Sequence, residues 1–95
     1  MKTQKALIIV NRLARQGDSD FDLSTKIFRD YGIEPYVVLI EQVSQIASVI
    51  EKHRNTVDRI IIGGGDGTLN AAVEPVLESG LPLGILPMGT ANDLA

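Results

Sequence analysis

The chain has 95 residues, of which 44% are hydrophobic and 22% charged, and its formal net charge is −3. This length suits one compact domain, and the apolar share is high enough for a folded core, which argues against a disordered chain. The slight acidity and the low aromatic content of 4% leave neither a basic surface for duplex nucleic acid nor a stacking platform for single-stranded bases.

Cysteine is absent from the sequence, so disulfides and thiolate metal sites are excluded. The apolar run near the amino terminus ends at Asn11 and Arg12, and it is too short to export the chain or to cross a bilayer. We therefore expect a cytoplasmic protein without a transmembrane segment.

The first half of the chain predicts a strand, a helix and a second strand. Residues 6–10 are uniformly apolar, as expected of a strand in a parallel sheet that is covered on both faces. Leu23, Ile27 and Tyr31 recur at helical spacing, so an amphipathic helix should begin near residues 18–20 and end at Gly32. The apolar residues 36–40 predict the second strand, also buried.

The second half repeats this alternation. A second amphipathic helix is predicted over residues 43–52, and a strand over residues 59–62. The third helix, over residues 68–78, contains Pro75, which removes an amide donor and should bend or weaken the helix. A fourth strand follows at residues 83–86, then a turn, and residues 92–95 look like the start of another helix.

Regular alternation of strands and helices predicts right-handed βαβ crossovers and hence an α/β fold. The expected architecture is a three-layer doubly wound sandwich around a four-stranded parallel sheet. We choose the strand order 2-1-3-4, because it places the carboxyl ends of the first and third strands side by side. No repeat or linker divides residues 1–95, and an uncovered sheet edge would favour homo-oligomers.

The densest chemical signal is GGGDGT, residues 63–68, between the third strand and the third helix. Successive glycines let the backbone approach an anion, and free amides at a helix start favour negative charge. The motif is neither a P-loop, which needs Gly-Lys-Ser/Thr, nor the dinucleotide fingerprint G-x-G-x-x-G. A purely structural alternative is a tight turn with Asp66 or Thr68 as the helix N-cap.

A second polar segment, PMGTAND at residues 87–93, follows the fourth predicted strand. It should therefore lie at the same carboxyl edge of the sheet as the glycine-rich turn, where open α/β sheets bind their ligands. Two glycine-containing loops at one edge predict a cleft.

GGGDGTLN followed by LGILPMGTANDLA resembles the diacylglycerol kinase catalytic family, which includes bacterial lipid kinases and sphingosine kinases. The likeness covers the whole chain and is specific from about Ile60 onward. It implies ATP-dependent transfer of a phosphoryl group to a lipid hydroxyl, with ATP and Mg²⁺ as cofactors. Residues 1–95 would be the nucleotide-binding part, incomplete before a β-rich domain that supplies the lipid cleft at the membrane surface.

The family's magnesium ligands and acid–base groups also come from the later part of the chain. We therefore expect the 95-residue chain to be inactive alone, and the complete enzyme to associate peripherally with the membrane. No metal ligand is assigned within the chain. His53, the one histidine, is interpreted as a helix-end residue, since metal ligands come in clusters.

The resemblance further implies nucleotide contacts along the glycine-rich turn and in two other loops. The turn residues are Gly63, Gly64, Gly65, Asp66, Gly67, Thr68, Leu69 and Asn70. Asn11 matches the Asn of a first-strand motif Asn-Pro-x-x-Gly, in which Arg12 here replaces Pro, and Thr90 matches a Thr near the nucleotide. Asp66 is the catalytic candidate, whose carboxylate could orient the acceptor, hold a metal-bound water or brace the loop.

Two alternatives remain open. NAD kinases and phosphofructokinases share a Gly-Gly-Asp-Gly turn, although GTAND at residues 89–93 resembles the lipid kinases more. The chain could also be a non-catalytic nucleotide-binding module of flavodoxin-like topology, because a fold does not by itself imply an activity.

Overall fold

The protein was analysed as a computed structural model, which describes residues 4–11 and 26–87. Four strands are present: β1 (Gln4–Asn11), β2 (Ile33–Ile40), β3 (Arg59–Gly64) and β4 (Leu83–Pro87). Residues 26–30 are helical and are called α1. A 3₁₀ turn (Val43–Gln45) leads into α2 (Ile46–His53), and α3 (Asp66–Ser79) connects β3 to β4.

The strands form one parallel sheet in the order β2-β1-β3-β4, as predicted. In the register of the two central strands, Val10 pairs with Gly63, and at the β3–β4 boundary Gly64 pairs with Pro87. The carboxyl ends of β1, β3 and β4 therefore meet at one edge. This edge carries the glycine-rich turn.

Helices cover both faces of the sheet, which gives the expected three layers. On one face, α2 and α3 pack on a core that includes Leu7, Ile9, Ile60 and Ile62. The opposite face buries a second cluster, against which Phe28 of α1 packs. Because β1 is sandwiched between two strands and two layers, its apolar residues 6–10 are almost fully buried.

The two edge strands, β2 and β4, are less buried than predicted. Leu39 in β2 is 42% exposed, and Ile85 in β4 is 58% exposed. Continuous apolar runs thus predicted all four strands, but burial on both faces holds only for β1 and β3. A strand at the edge of a sheet lacks a neighbour on one side, and its outer side chains keep part of their accessible surface.

The described helix ends lie close to their predicted positions, whereas the predicted start of α1 near residues 18–20 lies outside the described residues. Gly32 lies in the turn that follows α1, and the side-chain oxygen of Gln45 accepts a hydrogen bond of 2.9 Å from the backbone of Gln42 before α2. At its carboxyl end, α3 stops at Gly80, whose φ of 75° is left-handed. The helix runs through Pro75 without ending there. The expected bend at that residue stays a prediction.

Candidate functional site

The candidate site lies between the carboxyl ends of β1 and β3. The chain leaves β1 toward β2 on one side, whereas β3 flanks β1 on the other side. The strand order therefore reverses between β1 and β3, and a crevice opens at such a switch point in doubly wound sheets. Asn11 ends β1 and Gly64 ends β3, so the predicted site residue Asn11 and the glycine-rich turn both lie at this crevice.

The glycine-rich turn divides into a buried part and an exposed part. Gly63 is buried within β3, while Gly64 and Gly65 are half-buried and lead out of the strand. Gly64 has a φ of +155°, which side chains rarely adopt. Glycine at this position allows the chain to turn directly from the strand into α3.

Helix α3 starts at Asp66, two residues earlier than predicted. Its N-cap is Gly65, which provides no side-chain hydrogen bond, so the interpretation of Asp66 or Thr68 as the N-cap is wrong. The amide of Leu69 donates to the carbonyl of Gly65 at 3.0 Å and makes the first bond of the helix. The three preceding amides have no intrahelical acceptor, as at the start of any α-helix.

The outer side of the first two turns of α3 is open. Asp66, Gly67 and Asn70 are exposed, and a Cβ atom added to Gly67 would meet no heavy atom within 4 Å. A shallow depression lies here, lined by Asp66, Gly67, Leu69, Asn70 and Val73. Because the amide ends of a helix carry partial positive charge, this surface suits an anion.

Thr68 faces the other way, into the protein. It is 4% exposed, and among the described residues it is the only polar one in the buried set. Its hydroxyl accepts a hydrogen bond of 3.1 Å from the side-chain amide of Asn11. The structure therefore brings these two predicted site residues together. Their side chains bond to each other inside the protein.

This pairing was missed from the sequence, where both residues were interpreted as nucleotide contacts. A usable signal exists in the spacing, since Thr68, Ala72 and Val76 recur every four residues and are the buried residues of α3. A hydroxyl on the buried stripe of a helix needs an internal partner. Asn11 at the end of the neighbouring strand provides it.

Other predicted residues are placed as follows. Thr90 lies outside the described residues, and the last described strand, β4, ends at Pro87, which pairs with Gly64. His53 accepts or donates through Nδ1 to the carbonyl of Val49 at 2.9 Å, at the end of α2. Within residues 4–11 and 26–87, no three His, Asp or Glu side chains come together as a metal site.

The sequence matches known proteins along its length. The family model of the diacylglycerol kinase catalytic domain matches residues 5–95. The "Probable lipid kinase YegS-like" protein of Yersinia enterocolitica is 42% identical over 94 residues, which are 94% of this chain and 31% of that protein. The protein of the same name from Klebsiella pneumoniae is 40% identical over 75 residues, which are 76% of this chain and 25% of that protein.

The fold matches solved structures as well. A diacylglycerol kinase from Bacillus anthracis str. Sterne has a TM-score of 0.71 at 29% identity, over 98% of this chain and 37% of that one. A 3-dehydroquinate dehydratase-like protein from Bifidobacterium longum, with a TM-score of 0.60 and 14% identity, covers 88% of this chain and shares the fold alone.

The chain spans about a quarter to a third of the length of the two YegS-like relatives. The family match includes the whole glycine-rich turn, which the sheet presents at its switch point next to Asn11. The chain belongs to the diacylglycerol kinase catalytic domain family.

Proposed function

We propose that this chain binds the phosphate tail of ATP at the start of α3 and that the full-length protein transfers the terminal phosphoryl group to a lipid hydroxyl. The observation that carries the proposal is the uncapped amino end of α3, open to solvent at the switch point of a parallel sheet. The family to which the chain belongs supports the kinase chemistry.

The amides of Asp66, Gly67 and Thr68 precede the first intrahelical bond, so they can donate to phosphate oxygens. The surface at Gly67 leaves room for a ligand, because a Cβ atom there would meet no heavy atom within 4 Å outside its chain neighbours and the backbone of its own helix. Phosphoryl transfer depends mainly on holding the phosphates in place and offsetting their charge. The first turn of α3 supplies donors for both purposes.

Asp66 lies in the same turn, and its carboxylate is exposed. A carboxylate beside a polyphosphate is repelled unless a cation lies between them, and Mg²⁺ is the cation that phosphates usually carry. The exposed position favours two of the three roles considered, namely orienting the acceptor hydroxyl or holding a metal-bound water. Bracing the loop would require hydrogen bonds from this carboxylate to the turn itself.

The remaining nucleotide contacts belong to the same proposal. Asn70 is exposed beside Asp66 and can reach the ligand directly, whereas Gly64 and Gly65 shape the turn. Thr90 would complete the site from the loop after β4. Mg²⁺ ligands and acid–base groups from the part of the family's chain that residues 1–95 do not span would complete the chemistry, so we expect the 95-residue chain alone to transfer no phosphate.

The acceptor is proposed to be a lipid at the membrane surface, as the names of the matched relatives suggest. None of the helices among the described residues combines the length and apolarity that crossing a bilayer requires. Peripheral contact of the full-length protein with the membrane and its self-association remain predictions.

The proposal is tested by titrating the full-length protein with ATP and Mg²⁺, and then by offering it a panel of acceptors. We expect saturable ATP binding and phosphorylation of diacylglycerol or sphingosine. Phosphorylation of NAD or of fructose 6-phosphate instead would contradict the lipid assignment. Binding of ATP without transfer to any acceptor would support a non-catalytic module.

A further inference from the structure

Thr68 occupies an unusual place for a residue of a ligand-binding turn. It is the third residue of α3, yet its side chain is buried and does not line the depression formed by its neighbours Asp66, Gly67 and Leu69. Its hydroxyl accepts from Nδ2 of Asn11, a half-buried residue at the end of β1. The hydroxyl is therefore used inside the protein, not at the surface where a phosphate would bind.

The side chain of Thr68 also packs against the end of β3. A Cβ atom on Gly64 would lie 2.9 Å from Oγ1 of Thr68, 3.0 Å from its Cβ and 3.3 Å from its Cγ2. Thr68 thus contacts the last residues of both central strands, Asn11 of β1 by a hydrogen bond and Gly64 of β3 by packing. These contacts join the first turn of α3 to the two strand ends that form the crevice.

Ordering of the first helical turn matters for anion binding. Its amides converge on one point only while the turn keeps its helical form, and helix ends fray unless something holds them. No side chain caps α3, because its N-cap is Gly65. Besides the packing of Leu69 on the core, the hydrogen bond of Thr68 to Asn11 is the described polar side-chain interaction that holds this turn.

We propose that Asn11 and Thr68 are a positioning pair, whose hydrogen bond fixes the first turn of α3 so that its amides stay directed at the phosphate. The two side chains touch neither nucleotide nor acceptor and act through the backbone amides of the first turn of α3. This inference rests on the proposed function and differs from it in one respect. The family resemblance implies two direct nucleotide contacts, whereas the geometry points to one internal bond.

The test uses the full-length protein and the matched variants Thr68→Val and Thr68→Ser. Valine keeps the shape of threonine without its hydroxyl, while serine keeps the hydroxyl. Two properties are measured, namely ATP affinity by calorimetry and the hydrogen exchange of the Leu69 amide in the ligand-free protein. This amide makes the first bond of α3, so its exchange reports opening of the first turn.

We expect Thr68→Val to weaken ATP binding and to accelerate Leu69 exchange about tenfold each, the change that 1.4 kcal/mol produces. Thr68→Ser should stay within about threefold of the wild type in both, because a preserved hydroxyl can still accept from Asn11. Unchanged affinity in Thr68→Val, or equal losses in the valine and serine variants, would overturn the proposal. Weakened binding with unchanged exchange would indicate direct contact instead and would also overturn it.

Ser79→Ala is the matched control. The Ser79 hydroxyl donates to the carbonyl of Val76 at 2.6 Å and accepts from the amide of Leu81 at 3.1 Å, at the opposite end of α3. Its loss should lower stability without changing ATP affinity or Leu69 exchange. A loss of ATP affinity equal to that of Thr68→Val would mean that general destabilisation explains both, against the proposal.

A double variant separates a pair from two independent contacts. If Asn11 and Thr68 act together, Asn11→Ala combined with Thr68→Val should bind ATP no more weakly than the weaker single variant. Additive losses would indicate two separate nucleotide contacts and would refute the pair. Should Thr68→Val not fold, Asn11→Ala alone answers the question with the same two measurements, since it removes the donor.

Failure of the pair can be told from failure of the proposed function. If the wild-type full-length protein binds no ATP, the proposed function is wrong, and the pair has no phosphate at which to direct the amides. The exchange of Leu69 needs no ligand, so it still shows whether the bond holds the first turn. ATP binding by the wild type together with unchanged exchange in Thr68→Val would contradict the positioning pair and leave the proposed function intact.

Discussion

Gly64 and Thr68 lie so close together that a Cβ atom on Gly64 would come within 2.9 Å of the threonine hydroxyl oxygen. Thr68 cannot easily give way, because it is buried and bonded to Asn11. The backbone at Gly64 is also in a conformation that favours glycine. Two independent constraints therefore require glycine at the point where β3 turns into α3.

Gly64→Ala should lower the free energy of unfolding by about 1–3 kcal/mol, the usual effect of a strained backbone, and should also weaken ATP binding. Urea unfolding and ATP titration of the full-length protein measure the two effects. Gly80→Ala is the control, since Gly80 also has a positive φ but lies at the far end of α3 in open space. It should lose about 1 kcal/mol of stability with unchanged ATP affinity. A Gly64→Ala protein as stable as the wild type would contradict the geometry of the turn.

Gly67→Ala should separate binding from stability. A Cβ atom there meets nothing within 4 Å, and alanine in a helix is better than glycine by about 0.5–1 kcal/mol, so the fold should be equally or more stable. The added methyl group would occupy the space proposed for a phosphate. We expect ATP affinity to fall at least tenfold while the unfolding midpoint holds or rises. An unchanged affinity would place the phosphates elsewhere.

Asp66→Asn should remove catalysis and spare binding. The side chain is exposed, so stability should change by no more than about 0.5 kcal/mol. Loss of a group that positions the acceptor or a metal-bound water should lower the rate of lipid phosphorylation by about 100-fold or more. ATP affinity should be largely kept, because the backbone amides proposed to bind the phosphates are unchanged by the substitution. Rate assays and titrations measure both.

Glu78→Gln is the matched control for Asp66→Asn, because it removes an exposed acidic charge at the opposite end of the same helix. It should leave the rate unchanged. If both variants lose activity equally, a general charge effect explains the loss and Asp66 has no special role.

Pro75→Ala should stabilise the protein. Pro75 lies inside α3 and lacks the amide that would continue the hydrogen-bond ladder. Alanine restores this donor, and the gain should exceed the entropy that proline removes from the unfolded chain, leaving about 1–2 kcal/mol. A lower unfolding midpoint would show that proline at this position favours the packing of α3 in another way. ATP affinity should not change, since Pro75 lies beyond the first turns.

The strands of the sheet could be predicted from the sequence because buried parallel strands and amphipathic helices differ in the spacing of their apolar residues. Residues 6–10 and 60–62 are continuous apolar runs, and they lie in the two central strands. The same signal overestimated the burial of Leu39 and Ile85, since hydrophobicity alone does not say which strand will stand at an edge. Strand order came from the need to bring two loops together.

The glycine-rich turn could be located from the sequence, but the role of each of its residues could not be assigned. Composition predicts an anion-binding turn at residues 63–68, yet Gly63 is buried in the strand and Thr68 bonds inward, while Asp66 and Gly67 face solvent. Such a division depends on where the helix begins, and α3 begins two residues before the predicted position. Helix starts are poorly determined by pattern when the N-cap is glycine and offers no capping side chain.

The most direct test of the account is a crystal structure of the full-length protein with Mg²⁺ and a non-hydrolysable ATP analogue. The distances to compare join the backbone nitrogens of Asp66, Gly67 and Thr68 to the nearest phosphate oxygens. The account predicts at least two of them within about 3.2 Å, with Asn11 still bonded to Thr68. Phosphates bound away from the start of α3 would contradict it.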